Sequence, residues 1–425
     1  MGWTKSQRNV VTAAYLGWTL DAFDFYLMVF MFKDISAELH SSMQAVTTAV
    51  LLTLGTRPVG ALIFGRLADR FGRKPILMLN ILAYSLLEML SGFAPSMTAL
   101  LVLRALFGVA MGGEWGIGSA LAMESIPKTS RGFVSGLLQA GYPSGFFLAS
   151  LAVYLFYDSL GWRYMFVLGV APAFLLILIR RGVDESPAWR EQRREPSAGT
   201  WVVLRREWRL ALYCVTLMTA FNFFSHGSLD AYPSLFLKVQ HHYDTHTSSL
   251  LTAIANAGAI CGGILFGTLS ERIGRRRAII AAACIALPAL PFWAYGSTPL
   301  VLAIGAFVMQ VSVQGAWSVI PAHLNELSPK EIRATFPGFV YQFGNLLAAA
   351  NLNLQVAIAE AHGSDYGTAM AVVVGTFAVA IAVLAAFGPE RRGVALTDEQ
   401  ARAEASEGAV DAPGMVKEIG YGLNR

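Results

Sequence analysis

Runs of roughly twenty apolar residues, each long enough to cross about 30 Å of hydrocarbon, alternate with short polar stretches along almost the whole chain. They lie near residues 10–32, 47–67, 75–92, 96–120, 134–156 and 163–180, and again near 210–237, 249–269, 278–296, 299–320, 335–358 and 367–387. The pattern predicts twelve membrane-crossing helices, six on either side of a polar stretch at 181–209. An all-α membrane protein of two six-helix bundles follows. It divides into an N-terminus (1–9), a first bundle (10–180), a linker (181–209), a second bundle (210–387) and a tail (388–425).

The polar punctuation repeats. Gly65-Arg66-Leu67-Ala68-Asp69-Arg70-Phe71-Gly72-Arg73-Lys74 returns as Gly267-Thr268-Leu269-Ser270-Glu271-Arg272-Ile273-Gly274-Arg275-Arg276, 202 residues later. Glu124, Pro127, Lys128 and Arg131 recur at the same offset as Glu326, Pro329, Lys330 and Arg333. Two motifs repeating at one spacing mark a duplicated unit, so the two bundles are expected to be pseudo-symmetric. Each copy of the first motif follows an apolar run and combines turn glycines with cations, which places it in a short cytoplasmic loop.

Composition agrees. Hydrophobic residues make up 55 %, charged residues 14 % and mean hydropathy is +0.51, more apolar surface than a water-soluble fold could cover. Cys214, Cys261 and Cys284 sit inside apolar runs, so no disulfide framework is indicated. The net charge of +4 points to no nucleic-acid partner, but its distribution gives an orientation. With the N-terminus inside, only Lys33, Arg163 and Lys238 lie in outer loops and Arg57 and Arg104 within spans, while the other 27 of the 32 lie on the inner side. Both termini are therefore expected in the cytoplasm of a multi-pass protein of the cell inner membrane. No signal-peptide cleavage pattern follows Lys5 and Arg8. In the linker, Trp189, Trp201 and Trp208 suggest amphipathic pieces on the membrane surface. The tail from Val394, rich in Ala, Glu and Asp, is expected to be partly disordered.

Ionisable groups inside spans are costly unless paired or wetted, and so mark function. In the seventh span Asn222, His226 and Asp230 are spaced i, i+4, i+8 and share one helix face. A His and a carboxylate one turn apart couple their titrations near neutral pH, which suits proton uptake; a hydrogen-bonded seam between helices is the other reading. Asp21 and Asp24 lie on neighbouring faces of the first span, as a proton carrier or as partners of an arginine. Arg57 stands about ten residues, or roughly 15 Å, from the inner loop, and a permanent cation there needs an anion. That anion is either a substrate carboxylate, held bidentately, or Asp21 or Asp24. Arg104 has Ala306 at the equivalent position of the second half, so it serves a task the halves do not share: proton transfer, or an ion pair with Glu114 or another carboxylate. Glu88 is supported by no motif. In the eleventh span Gln342 and Asn345 are one turn apart, with Asn351, Asn353 and Gln355 beyond them, and Gln310 and Gln314 share a face of the tenth. His241, His242 and His246 lie in a loop with Asp244, too few ligands to indicate zinc. No nucleophile elbow, phosphate loop or metal cluster is present in the sequence, so neither an enzyme nor a cofactor is expected.

The glycine and cation loops resemble those of the major facilitator superfamily between helices two and three and between helices eight and nine. Glu185-Ser186-Pro187 and Pro389-Glu390-Arg391-Arg392-Gly393 are similar to the motifs that end each half in its sugar-porter-like members. Arg104 and Gly108 to Gly116 resemble the fourth-helix motif. Asn222, Ser225, His226, Ser228 and Asp230 match the seventh-helix signature of the monocarboxylate and sialate proton symporters, and Trp18-Thr19-Leu20-Asp21-Ala22-Phe23-Asp24-Phe25 looks like their first-helix run. Leu229 stands where that signature has Gln, which removes an amide, and Ser234 where it has Thr. The resemblance implies alternating access and symport, driven by the proton gradient, of a small organic anion: a monocarboxylate such as lactate or pyruvate, or a sialic-acid-like acid. Arg57 would hold the carboxylate, with Asn222, Gln342 and Asn345 orienting it. His226 and Asp230, with Asp24, would carry the proton, and Asp21 and Arg104 are further coupling candidates. Gly65, Asp69, Arg70, Arg73, Glu271, Arg272 and Arg275 would form a conformational latch. The expected partners are that anion, a proton and membrane lipid, with the protein acting as a monomer. Other readings are a sugar or aromatic-acid symporter, supported by Trp18, Phe25 and Phe224, and a nutrient sensor that binds without transporting.

Overall fold

The computed structural model describes residues 2–193, 198–397 and 400. Every regular element among them is helical. The spans run Lys5–Phe30, Met43–Phe71, Arg73–Ser91, Met97–Ser125 and, from Arg131, a helix that continues to Leu168. Gly161, at φ 71°, bends that helix and separates the fifth span from the sixth, which is completed by the turn Ala171–Phe174 and the helix Leu175–Gly182. The second half comprises Trp208–Leu229 with a wide π-helical turn Tyr232–Gln240, then Thr245–Ile273, Arg275–Ala294, Pro299–Leu327, the pair Thr335–Ala348 and Asn351–Ala361, and Tyr366–Phe387. Twelve spans result. Eight are long and apolar enough on composition alone; the first, sixth, seventh and eleventh carry polar residues or breaks, and three of these four supply the central chamber described below.

Local chemistry sets the ends. Thr4, Ser42, Ser96, Asp244, Thr298 and Asp365 each accept a hydrogen bond from a backbone N–H of the first turn that follows, supplying partners the helix cannot. The second and eighth spans stop at Gly72 (φ 111°) and Gly274 (φ 97°), a conformation costly for any residue with a Cβ. The tail's expected disorder beyond residue 400 concerns residues outside those described.

The duplication holds atom for atom where spans touch. A Cβ on Gly60 would lie 1.8 Å from the carbonyl oxygen of Val109, and one on Gly262 would lie 2.3 Å from that of Val311, both pairs separated by the 202-residue offset. The second span therefore packs backbone to backbone on the fourth, and the eighth on the tenth. Gly60→Val is expected to cost at least roughly 1–3 kcal/mol, because the obstacle is backbone and not a side chain that can swing aside. The check is the melting temperature of purified protein; Gly55→Val, at a position with nothing within 4 Å, should change it little.

The halves meet where the fifth span crosses the eighth and the second crosses the eleventh. Around the outside, large apolar side chains such as Leu51, Val59, Leu106 and Leu300 face outward, as a lipid-facing girth requires. Inside the first half lie Asp21, Asp24, Arg57, Glu88, Arg104 and Glu114, all buried.

Candidate functional site

At the end bearing the glycine and cation loops, the two halves are tied by mirrored contacts. Asp69 accepts from Ala334 N at 2.9 Å, Thr335 N at 3.1 Å and Thr335 Oγ1 at 2.6 Å, at the N-terminus of the eleventh span, where helix dipole and free N–H groups favour an anion. Glu271, 202 residues on, accepts from Gly132 N, which lies 202 residues before Ala334. Arg73 is fully buried and gives both prongs to Glu124 at 3.2 Å with Asp69 at 3.3 Å. Arg275 holds Glu326 at 2.9 Å twice and Glu271 at 3.1 Å. Arg131 reaches Glu326 at 3.6 Å and Arg333 reaches Glu124 at 3.8 Å, each crossing between halves. Gly65 allows the approach, since a Cβ there would meet Thr335 Cα at 2.6 Å.

Two expected members of this cluster take no part in its ion pairs. Among the described residues Arg70 stacks on Phe71, and Arg272 contributes its carbonyl oxygen to Arg392. Trp189 joins the cluster instead of lying on the membrane surface: it is buried, with Nε1 donating to Asp69 O at 3.0 Å, whereas Trp201 and Trp208 are exposed.

The opposite end differs. Among the described residues every hydrogen bond and ion pair between the halves lies on the loop side. Toward the other end, a crevice of about 900 Å³ separates the first and fifth spans from the π-helical turn and the eighth span, lined by Thr19, Ser144, Phe146, Ser234, Lys238 and Asn256.

Between these ends lies the chamber, the central region where charged and polar side chains of the two halves gather. On the first half, Arg57 is 2 % exposed, beside Pro58, whose missing N–H frees the Leu54 carbonyl. Its Nη2 touches Met111 Sδ at 2.6 Å, its guanidinium lies 5.4 Å from the centre of the Phe25 ring, and its Nε has no partner. No carboxylate comes within 4.0 Å of it among the described residues, so the expected alternative of an ion pair with Asp21 or Asp24 is not formed. Asp24 is fully buried with neither oxygen hydrogen-bonded, and Asp21 and Glu114 each have one oxygen without a partner. Arg104 pairs with Glu88 (2.6 Å) and Ser91 (2.7 Å) between the rings of Phe107 and Phe166. Glu88, unmarked by any motif, thus takes the place considered for Glu114, which sits against the first span where a Cβ on Gly17 would strike its Oε1.

On the second half, His226 Nδ1 lies 3.3 Å from Asp230 Oδ1 and Nε2 lies 3.2 Å from Asn345 Oδ1. With the amide in this orientation both ring nitrogens face acceptors, and only the imidazolium can donate to both. Asn351 Nδ2 donates to the other Asp230 oxygen at 3.4 Å. The side chains of His226 and Asp230 are 37 % and 32 % exposed, whereas the charged groups of the first-half wall are sealed. Gln342 is buried with its Oε1 unpartnered. Asn222 is turned back on its own helix, donating to Met218 O at 2.8 Å. Gln310 and Gln355 bind Ser228 and the Gly227 carbonyl and hold the seventh span in place.

Aromatic rings bridge the halves. Trp18 lies 5.3 Å from Tyr142 and 6.3 Å from Tyr341, which in turn lies 4.7 Å from Trp115 and 5.5 Å from Trp317; Tyr26 is 5.6 Å from Tyr142. Arg57, Asp21, Tyr26, Tyr142, Tyr341, His226 and Asp230 lie close enough to feel one another's charge. Tyr26, Tyr142 and Tyr341 carry no signal in the sequence, because a tyrosine in an apolar run reads as packing. Phe224 is buried in the same core as Trp18, Trp115, Trp317 and Tyr341. The loop histidines have local roles: His241 stacks on Tyr243, and His246 N is capped by Asp244.

Twelve spans in two tied halves around a charged internal chamber define a membrane carrier. A family model described as Major Facilitator Superfamily matches residues 14–350 and 215–414. The chain is 31 % identical over 407 residues to the "Probable 4-methylmuconolactone transporter" of Cupriavidus pinatubonensis, covering 92 % of this chain and 93 % of that one. It is 28 % identical over 389 residues to the sialic acid transporter NanX of Escherichia coli, covering 90 % and 94 %. Among solved structures the proton:xylose symporter XylE superposes with a TM-score of 0.76 at 18 % identity, covering 94 % of this chain and 99 % of that one, which shows the shared fold. The chain belongs to the major facilitator superfamily and is a transporter, not an enzyme.

Proposed function

We propose that the protein takes up a small organic acid, as its anion and together with a proton, by alternating access across the cell inner membrane, with both termini in the cytoplasm. The observation that carries this reading is Arg57: a buried guanidinium without a carboxylate partner, in a chamber whose other wall is His226, Asp230 and Asn345. A cation left so in a membrane interior is stable only with an anion, and a substrate carboxylate supplies one. Asn345 and Gln342 orient the acid, and Asn222 would have to turn from its own helix to join them. His226 with Asp230 carries the proton, with Asp24 as a second acceptor. Anion and proton together make a neutral cargo, so the loaded carrier reorients at low electrostatic cost.

The relatives named for 4-methylmuconolactone and sialic acid and the aromatic bridge around Trp18 and Tyr341 favour a ring-bearing acid over lactate or pyruvate within this class. Uptake of radiolabelled lactate, pyruvate, sialic acid and a muconolactone into proteoliposomes, with and without an inward proton gradient, tests it. Accumulation of one acid above equilibrium only with the gradient is expected. Binding without uptake of any acid would instead mean a sensor, and gradient-driven uptake of a neutral sugar would remove the role of Arg57.

A further inference from the structure

The chain does not leave the loop end after the twelfth span closes at Phe387. It turns back and crosses onto the other half. Gly393 N donates to Glu326 Oε1 at 3.2 Å, and Arg333 Nη1 donates to Leu396 O at 3.4 Å, both on the second half. On the first half, Arg131 at the start of the fifth span gives Nη1 to Val394 O at 2.7 Å and Nη2 to Gln400 Oε1 at 2.9 Å. Leu396 is 6 % exposed and packs into a core built mainly of first-half residues, among them Val134, Leu138 and Ile126. Gln400 Oε1 also accepts from Leu396 N, and Gln400 N is held by Thr397 Oγ1, so Leu396, Thr397 and Gln400 are tied to one another where they dock.

We propose that the segment from Gly393 to Thr397, together with Gln400, is a strap that holds the loop end shut, tethered by the chain to one half and seated in the other. The halves cannot part at this end while Leu396 stays in its socket and Arg131 keeps the Val394 carbonyl. These contacts exist only in the closed arrangement, so they weigh the equilibrium toward it by their full differential strength. The strap also covers the ion pairs between the halves: Arg131 and Arg333, which make the two cross-ties, are the same side chains that grip it. A tail contact thereby reports on, and stabilises, the state of the seam.

The test needs no substrate and so stands apart from the identity of the cargo. In full-length protein lacking Cys214, Cys261 and Cys284, Ser119→Cys places a thiol at the seam, where Ser119 Oγ accepts from Asn325 of the other half. Ser234→Cys places one in the crevice toward the other end. In proteoliposomes, labelling of Ser119→Cys by a membrane-impermeant maleimide from the loop side is expected to quicken at least about fivefold, the lower end of ordinary conformational coupling, on adding Leu396→Asp or ending the chain at Ala395. Labelling of Ser234→Cys from the opposite side should slow in the same variants. Unchanged rates at Ser119→Cys in both variants overturn the proposal, as does acceleration at both positions in both variants, which would mean lost structure instead of a released strap.

Discussion

Arg57→Gln is expected to cut gradient-driven uptake of the transported acid by about 30-fold or more, the equivalent of the ~2 kcal/mol or more lost when one partner of a buried charge pair is truncated. The change keeps a polar side chain, though a shorter one, and removes its charge, so the anion would enter a chamber that no longer neutralises it. Because Arg57 makes no direct ion pair with an internal carboxylate, its removal breaks none, and the folded protein should be recovered in normal amount. That separates it from Arg104, whose loss would strand Glu88. Arg57→Lys should retain part of the activity, since the charge stays but the planar fork is lost. Initial uptake rates in proteoliposomes, normalised to protein, decide the matter; equal rates in wild type and Arg57→Gln would reduce Arg57 to a packing charge on Phe25.

Arg275→Met should lower stability by about 3–5 kcal/mol, the cost of leaving a buried ion without its partner. Arg275 is fully buried and satisfies Glu326 twice, Glu271 once and Ser270 Oγ at 2.6 Å. Without it Glu326 keeps Arg131 at 3.6 Å and the Gly393 N–H, which cannot replace a bidentate guanidinium. A large fall in the tryptophan-fluorescence melting temperature is expected. Arg275→Met combined with Glu326→Leu should regain part of it, because removing both charges is cheaper than removing one. If the double variant is no more stable than the single, packing around Arg275 and not its charge sets the stability.

The architecture was legible because its signals are local. A span needs a run of apolar residues, and twelve are present; a duplication needs a fixed offset, and 202 residues relates the Arg73 and Glu124 pair to Arg275 and Glu326. Spacing along one helix was equally readable: His226 and Asp230 meet as their four-residue separation requires. What the chain conceals is which faces of different helices look at each other, a property of rotation and register settled by all the packing at once. So Glu88, a lone glutamate in an apolar run, could be recognised as costly but not as the partner of Arg104. Asn222 lies on the expected stripe yet bonds to its own helix, because the face of a helix fixes where a side chain starts and not where its amide turns. The docking of Trp189 and Leu396 depends on neighbours more than a hundred residues away in sequence, and composition around them suggested surface and disorder.

Arg57 and Asn345 belong to separate halves, and this has a mechanical corollary. An acid gripped by both is bolted to two rigid bodies at once, so it acts as a spacer whose length sets how near those bodies can come. Molecules of the right charge but wrong reach would fill the chamber and still leave the clamp unclosed. Discrimination among acids would then show in turnover more than in occupancy.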